Sequence, residues 1–266
     1  MPWQILDIPM WLPVFALVLF RLTGLVAGAP LLSSTVIPIR IRAALVLALA
    51  GLTFPLVRSQ APADLGLAIL LPALVGEFLI GLTVGLGVTI LLTGAEVAGT
   101  MVGQQAGIAL GEIVNPAFEE PVTVVSQLYS IVLMLVVLIA GGLRALVAAV
   151  LDTYQVIPLL KFSMNESYLI LLVELLASAM VMGIRLAGPV LIALFVTEAA
   201  LGFLARTMPQ LNVMSVGFTL RVLLAVGMAG VSLALSQELM IGAVQDGMEM
   251  IRAGMGLSPA AHRLVI

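Results

Sequence analysis

Long apolar stretches fill the chain, and charged residues interrupt almost all of them. The longest uncharged run is Pro121–Leu143, with 23 residues. As a helix rising 1.5 Å per residue it would cover about 35 Å, enough for the roughly 30 Å of bilayer hydrocarbon. Leu22–Ile39 and Phe78–Ala95 follow with 18 residues each, Val222–Gln237 with 16 and Ala43–Val57 with 15. Elsewhere Arg21, Glu77, Glu96, Glu174, Arg185, Glu198, Arg206 and Arg221 break the apolar pattern. The sustained alternation that a transmembrane β-barrel needs is missing, so the pattern predicts helices.

The first helix is expected from about Pro9 to Leu32, ending near Pro30, with a turn at Ser33-Ser34-Thr35. Pro38 suits the first turn of a second helix that ends by Pro55. Arg58–Asp64 is polar and contains Pro62, which marks a loop. A long helical region follows from about Leu65 to Leu110, then a loop at Gly111–Glu120. Pro121 to about Val150 reads as the best spanning helix, with a hinge at Gly141-Gly142. After a polar patch around Pro158 and Lys161, an apolar region runs from Ser167 to about Ala205. It contains Gly188-Pro189 and is closed by a loop at Arg206–Asn212. The last apolar helix is expected at about Val213–Leu235, and the charged tail from Ser236 in water. The fold class is an all-α membrane protein with one domain. It comprises N-terminal helices (1–110), a central loop (111–120), C-terminal helices (121–235) and a polar tail (236–266).

Composition narrows the class. Of 266 residues 62% are hydrophobic and 9% are charged, against roughly 25% charged in a soluble domain. The net charge of -3 leaves no basic excess for a nucleic acid. The N-terminus, Met1-Pro2-Trp3 with Asp7 following, lacks the basic region of a cleavable signal. A charge at the centre of a spanning helix costs about 2.5–3.5 kcal/mol on insertion scales. Eight such positions therefore imply helices that face protein, water or each other, with snorkelling to the headgroups as the alternative for those near helix ends.

Small residues recur every four positions in two ladders. One is Gly81, Gly85, Thr89, Thr93, and the other is Ala95, Gly99, Gly103, Gly107, Gly111. Spacing of four keeps each set on one helix face, and such faces let two backbones approach closely. The seam serves either another subunit or a helix of the same chain. Gln104 and Gln105 lie beside the second ladder and need hydrogen-bond partners or a wet lumen.

Catalytic and metal chemistry find no support. There is no Cys, and His262 is the only His, which excludes thiol nucleophiles, Cys–His pairs and HExxH metal sites. No GxxxxGK[ST] phosphate loop is present. Glu77, Glu96 and Glu198 are candidate membrane carboxylates, which keeps a small secondary transporter as an alternative. No catalytic residue, metal or cofactor is expected.

Three blocks of residues point further. The first is Phe20-Arg21, Pro30, Ser33-Ser34, Pro38, Arg40, Arg42 and Pro55. The second is Ala98-Gly99, Gly103-Gln104-Gln105-Ala106-Gly107, Asn115-Pro116 and Ser126-Gln127. The third, Phe195–Phe218, is built on Gly202, Arg206, Pro209, Gln210, Asn212 and Gly217-Phe218. In this order and spacing they resemble the FliR family of flagellar biosynthetic proteins. Asn115, Glu198, Thr219 and Arg144 depart from residues usual in that family.

The resemblance implies a core subunit of the type III protein export gate in the bacterial inner membrane, within the flagellar basal body. It implies bent helical hairpins packed into a helical rosette with the FliP and FliQ gate subunits. The FlhB switch subunit and other export-apparatus components would contact it, and secreted proteins would pass through. The virulence injectisome has an equivalent subunit of the same fold. By position the resemblance makes Ile108, Leu110, Ile113, Val114, Asn115, Pro116 and Phe118 a lumen plug. It makes Gly81, Gly85, Gly99, Gly103, Gly107, Gln104 and Gln105 packing positions. It makes Arg21, Arg40, Arg42, Glu77, Glu198, Arg206, Pro209, Asn212, Gly217 and Arg221 buried charges or subunit contacts.

Overall fold

A computed structural model describes residues 11–34, 37–58, 67–108, 123–161, 166–208 and 213–257. Among these, all regular structure is helical. The helices are α1 (Trp11–Gly28), α2 (Pro30–Ser33), α3 (Ile39–Val57), α4 (Leu67–Ala106), α5 (Val124–Ile139), α6 (Gly142–Val156), α7 (Glu166–Thr207), α8 (Val213–Leu235) and α9 (Gln237–Gly254). Five are long and apolar enough to cross a membrane, or six spans if the broken pair α5 and α6 counts as one.

Several expectations are refined by local chemistry. The first helix stops at Gly28 and restarts as α2 with Pro30 in its first turn. Pro55 does not end α3, which runs on to Val57. Pro72 and Pro189 likewise lie inside α4 and α7. The stretch expected to be the best spanning helix is broken. Gly141 adopts φ 75°, a left-handed conformation that only glycine takes at little cost, and it separates α5 from α6. Neither piece alone, at 16 and 15 residues, reaches the roughly 20 residues a span needs. The tail from Ser236 is in part a helix. Met240, Val244, Met248 and Ile251 recur on one face and are buried, while Glu238, Asp246 and Glu249 are exposed.

The chain forms two compact units. The first comprises Met1–Thr89, Gly141–Leu175 and Gln245–Ile266. Here α1 packs on α3, with the rings of Trp11 and Phe15 edge-on to Phe54 at 6.4 and 5.8 Å. Arg252 at the end of α9 donates to Asp152 of α6 at 2.8 Å, and Ile251 fills the space over Gly87 of α4. The second unit comprises Ile90–Ala140 and Leu176–Val244. There α5 packs on α8, and Ser232 of α8 donates to the Leu186 carbonyl of α7 at 2.9 Å.

Candidate functional site

The glycine ladders decide which helices approach most closely. In the first unit Gly24 and Gly28 of α1 face Gly81 and Gly85 of α4. A methyl group on Gly81 would collide with the Arg21 carbonyl, and one on Gly24 with the Phe78 carbonyl. One on Gly85 would lie 2.7 Å from the Leu25 carbonyl and the Ala29 nitrogen. Thr89 continues the ladder by donating its hydroxyl to the Gly28 carbonyl at 2.6 Å. This seam lies within the chain.

The same seam carries a buried polar centre. Arg21 of α1 donates through Nε to Glu77 of α4 at 2.5 Å, with the two side chains 0% and 1% exposed. Its other two nitrogens donate to the Thr153 hydroxyl of α6 at 3.0 Å and the Ile157 carbonyl at 3.1 Å. Its guanidinium stands 4.1 Å from the ring centre of Tyr154. The second Glu77 oxygen accepts the Leu160 N–H at 3.2 Å. Every nitrogen of the guanidinium and both carboxylate oxygens thus have a partner. That is the condition under which a charged pair survives away from water.

In the second unit the later ladder holds the end of α4. Gly99 lies against the backbone of Val125 and Ser126, where an added methyl would clash. Gly103 lies against Thr123, with a built Cβ 2.8 Å from its hydroxyl. Thr123 caps α5 by accepting the Ser126 N–H at 3.1 Å. Gly107, at φ 84°, closes α4: its N–H bonds the Gln104 carbonyl at 3.0 Å, and the Ile108 N–H bonds the Gly103 carbonyl at 3.0 Å. This is a Schellman ending. Gly94 and Gly183 form a second close crossing, between α4 and α7.

Polar side chains cluster on the same unit. Gln105 donates to Glu198 of α7 at 3.0 Å, and Arg221 of α8 lies 3.8 Å from the other Glu198 oxygen. Arg221 also donates to the Gly217 carbonyl at 3.3 Å. Ser130 of α5 donates to Glu96 of α4 at 2.9 Å. Glu96 and Gln104 of α4 and Glu198 of α7 are exposed.

The remaining predicted positions are placed as follows. Arg40 is exposed in the first turn of α3, and Arg42 donates to the Ser33 carbonyl at 3.2 Å. Arg206 is exposed in the last turn of α7. Gly217 is buried, with Leu201 3.0 Å from a built Cβ. Ile108 lies in the turn just past the end of α4 and is half-buried. Leu110, Ile113, Val114, Asn115, Pro116, Phe118, Pro209 and Asn212 lie outside the described residues. The structure adds Thr153, Tyr154, Leu160 and Thr123 to the set. A Thr directly before the apolar run at Val124 was a readable N-cap signal. The other three have no local signature.

Comparison with known proteins reaches almost the whole chain. The profile of the family described as bacterial export proteins, family 1, matches residues 12–258. The flagellar biosynthetic protein FliR of Caulobacter vibrioides is 28% identical over 83% of this chain and 88% of its own. That of Escherichia coli is 26% identical over 79% and 80%. The Yop proteins translocation protein T of Yersinia pestis is 26% identical over 75% and 77%.

Proposed function

The chain belongs to the bacterial export proteins, family 1, and from that membership we propose that it is a core structural subunit of the flagellar type III protein export gate in the bacterial inner membrane. The match over residues 12–258 carries the reading. The work of such a subunit is to hold a path open or closed for unfolded polypeptides.

The outer faces of the helices support a setting among other subunits. Glu174, Arg185 and Glu198 are exposed on α7, a helix that also exposes Ile184, Ile192 and Phe195. Lipid on every side would impose the cost of each charge, and neighbouring subunits with polar groups remove it. The partners in this reading are FliP, FliQ and the FlhB switch subunit. Arg40, Arg206 and Arg221 are its candidate contacts. The segment 111–120, with Ile108, acts as the lumen plug. Support comes from its two flanks, since Gly103 one turn before the exit of α4 touches Thr123 at the start of α5.

A second reading, the equivalent subunit of a virulence injectisome, is favoured by the similarity to the Yersinia pestis translocation protein. Deleting the gene in its own host separates the two. Loss of filaments and swimming is expected, and normal filaments would sink the flagellar reading. Removing 111–118 should let small ions leak through the closed gate, and a wild-type conductance would remove the plug assignment.

A further inference from the structure

Helix α1 is built in a way that an independent membrane span is not. Arg21 is the eleventh of its 18 residues, so a lone α1 would hold a guanidinium deep in hydrocarbon. In the folded unit all three guanidinium nitrogens are instead held by partners from later elements of the chain, Glu77, Thr153 and Ile157. Gly24 and Gly28 leave α1 with a flat, empty face wherever α4 is absent. Both defects are repaired by one helix. Glu77 supplies the counter-charge, and Gly81 and Gly85 bring the α4 backbone into contact with that flat face.

We propose that α1 is a conditional membrane helix, which keeps its place only while Glu77 of α4 neutralises Arg21. The chain then has a built-in order. Arg21 waits for a partner 56 residues later, and its last hydrogen bonds arrive with Thr153 and Ile157. A chain that has not delivered α4 holds α1 loosely, and a complete one holds it fast.

The absence of cysteine makes the test direct, since an introduced thiol is the only one present. Val18→Cys places it on α1 at a fully buried position, and Ser232→Cys places a control on α8. Each is made in the full chain, expressed in its own host and exposed to a membrane-impermeant maleimide. With the wild-type pair both thiols are expected to be protected. Adding Glu77→Ala should expose the thiol at 18 and leave that at 232 protected. Adding Arg21→Met together with Glu77→Met should protect the thiol at 18 again, because no charge remains to be neutralised. Three results overturn the proposal. One is continued protection at 18 in the Glu77→Ala chain. Another is equal exposure at 18 and 232, which reports general unfolding. The third is a double-methionine chain as exposed at 18 as Glu77→Ala, which reports a need for the polar geometry itself.

Discussion

Glu77 accepts the backbone N–H of Leu160 at 3.2 Å, and Leu160 holds the left-handed φ of 71°. Among the described residues it is the only non-glycine with positive φ. The turn that follows α6 is therefore bent into an unfavourable conformation at the point where it meets the buried carboxylate. A left-handed residue with a Cβ costs roughly 1–2 kcal/mol. The hydrogen bond to an ionised acceptor, worth about 1.5–3 kcal/mol, is large enough to hold it there.

That balance predicts an order for substitutions at Leu160. Glycine and asparagine tolerate positive φ and keep the N–H, so Leu160→Gly and Leu160→Asn should change stability by less than about 1 kcal/mol. Valine tolerates it worst, because its branch crowds the backbone, and Leu160→Val should be the most destabilising of the three. Thermal unfolding of the purified chain in detergent gives the ranking. A valine variant as stable as the glycine variant would remove the strain argument.

The seam between α1 and α4 makes a sharper forecast. Gly81→Ala directs a methyl at the Arg21 carbonyl, a backbone atom that cannot rotate away. The helices must part, and overpacking of this kind costs about 1–3 kcal/mol. Gly51 of α3 is the control, because nothing lies within 4 Å of a Cβ built there. Gly51→Ala should stabilise by roughly 0.5–1 kcal/mol through helix propensity alone. Opposite signs for the same chemical change, measured as shifts in unfolding midpoint, are the expected result.

Much of this architecture was legible from spacing. The two ladders marked the faces of α4 that meet other backbones, and the charges inside apolar runs marked residues that needed partners. Spacing does not say where a partner comes from. Gly81 and Gly85 meet α1, whereas Gly99 and Gly103 meet the start of α5. The contacts of Arg21 with Thr153 and Ile157 span more than 130 residues, and a pairing that long leaves no trace in local pattern. The break at Gly141 was visible as a glycine pair. Its depth was not, because one left-handed residue was enough to divide the longest uncharged run.

The base of the segment after α4 offers a prediction in the second unit. Thr123→Ala removes the oxygen that accepts the Ser126 N–H, and loss of such a cap costs about 0.5–2 kcal/mol. Gly107→Ala forces an L side chain into φ 84° and should cost roughly 1 kcal/mol. Thr123→Ser retains the oxygen and should restore most of the loss. Hydrogen exchange at the first turn of α5 reads the effect locally: protection should fall in the alanine variant and return in the serine variant.

Two arginines test how far burial sets the value of a contact. Arg252 and Asp152 form a well-aligned pair at 2.8 Å, but their side chains are 14% and 37% exposed. Water and salt screen such a pair, and it contributes about 0.2–1 kcal/mol. Asp152→Asn should therefore lower stability slightly, and less still in high salt. Thr153 stands one residue further along α6, and its hydroxyl accepts from Arg21, which is fully buried. Thr153→Val keeps the volume and removes the acceptor, so an N–H of a charged group loses its partner where water cannot replace it. That costs about 1–3 kcal/mol or more. Salt should not change it, because the site is closed to ions. Thr153→Ser restores the hydroxyl and should recover most of the loss. Unfolding midpoints at low and high salt distinguish the two neighbours. If Thr153→Val proved no more harmful than Asp152→Asn, Arg21 would be satisfied without that hydroxyl, and the polar centre would be smaller than its geometry indicates.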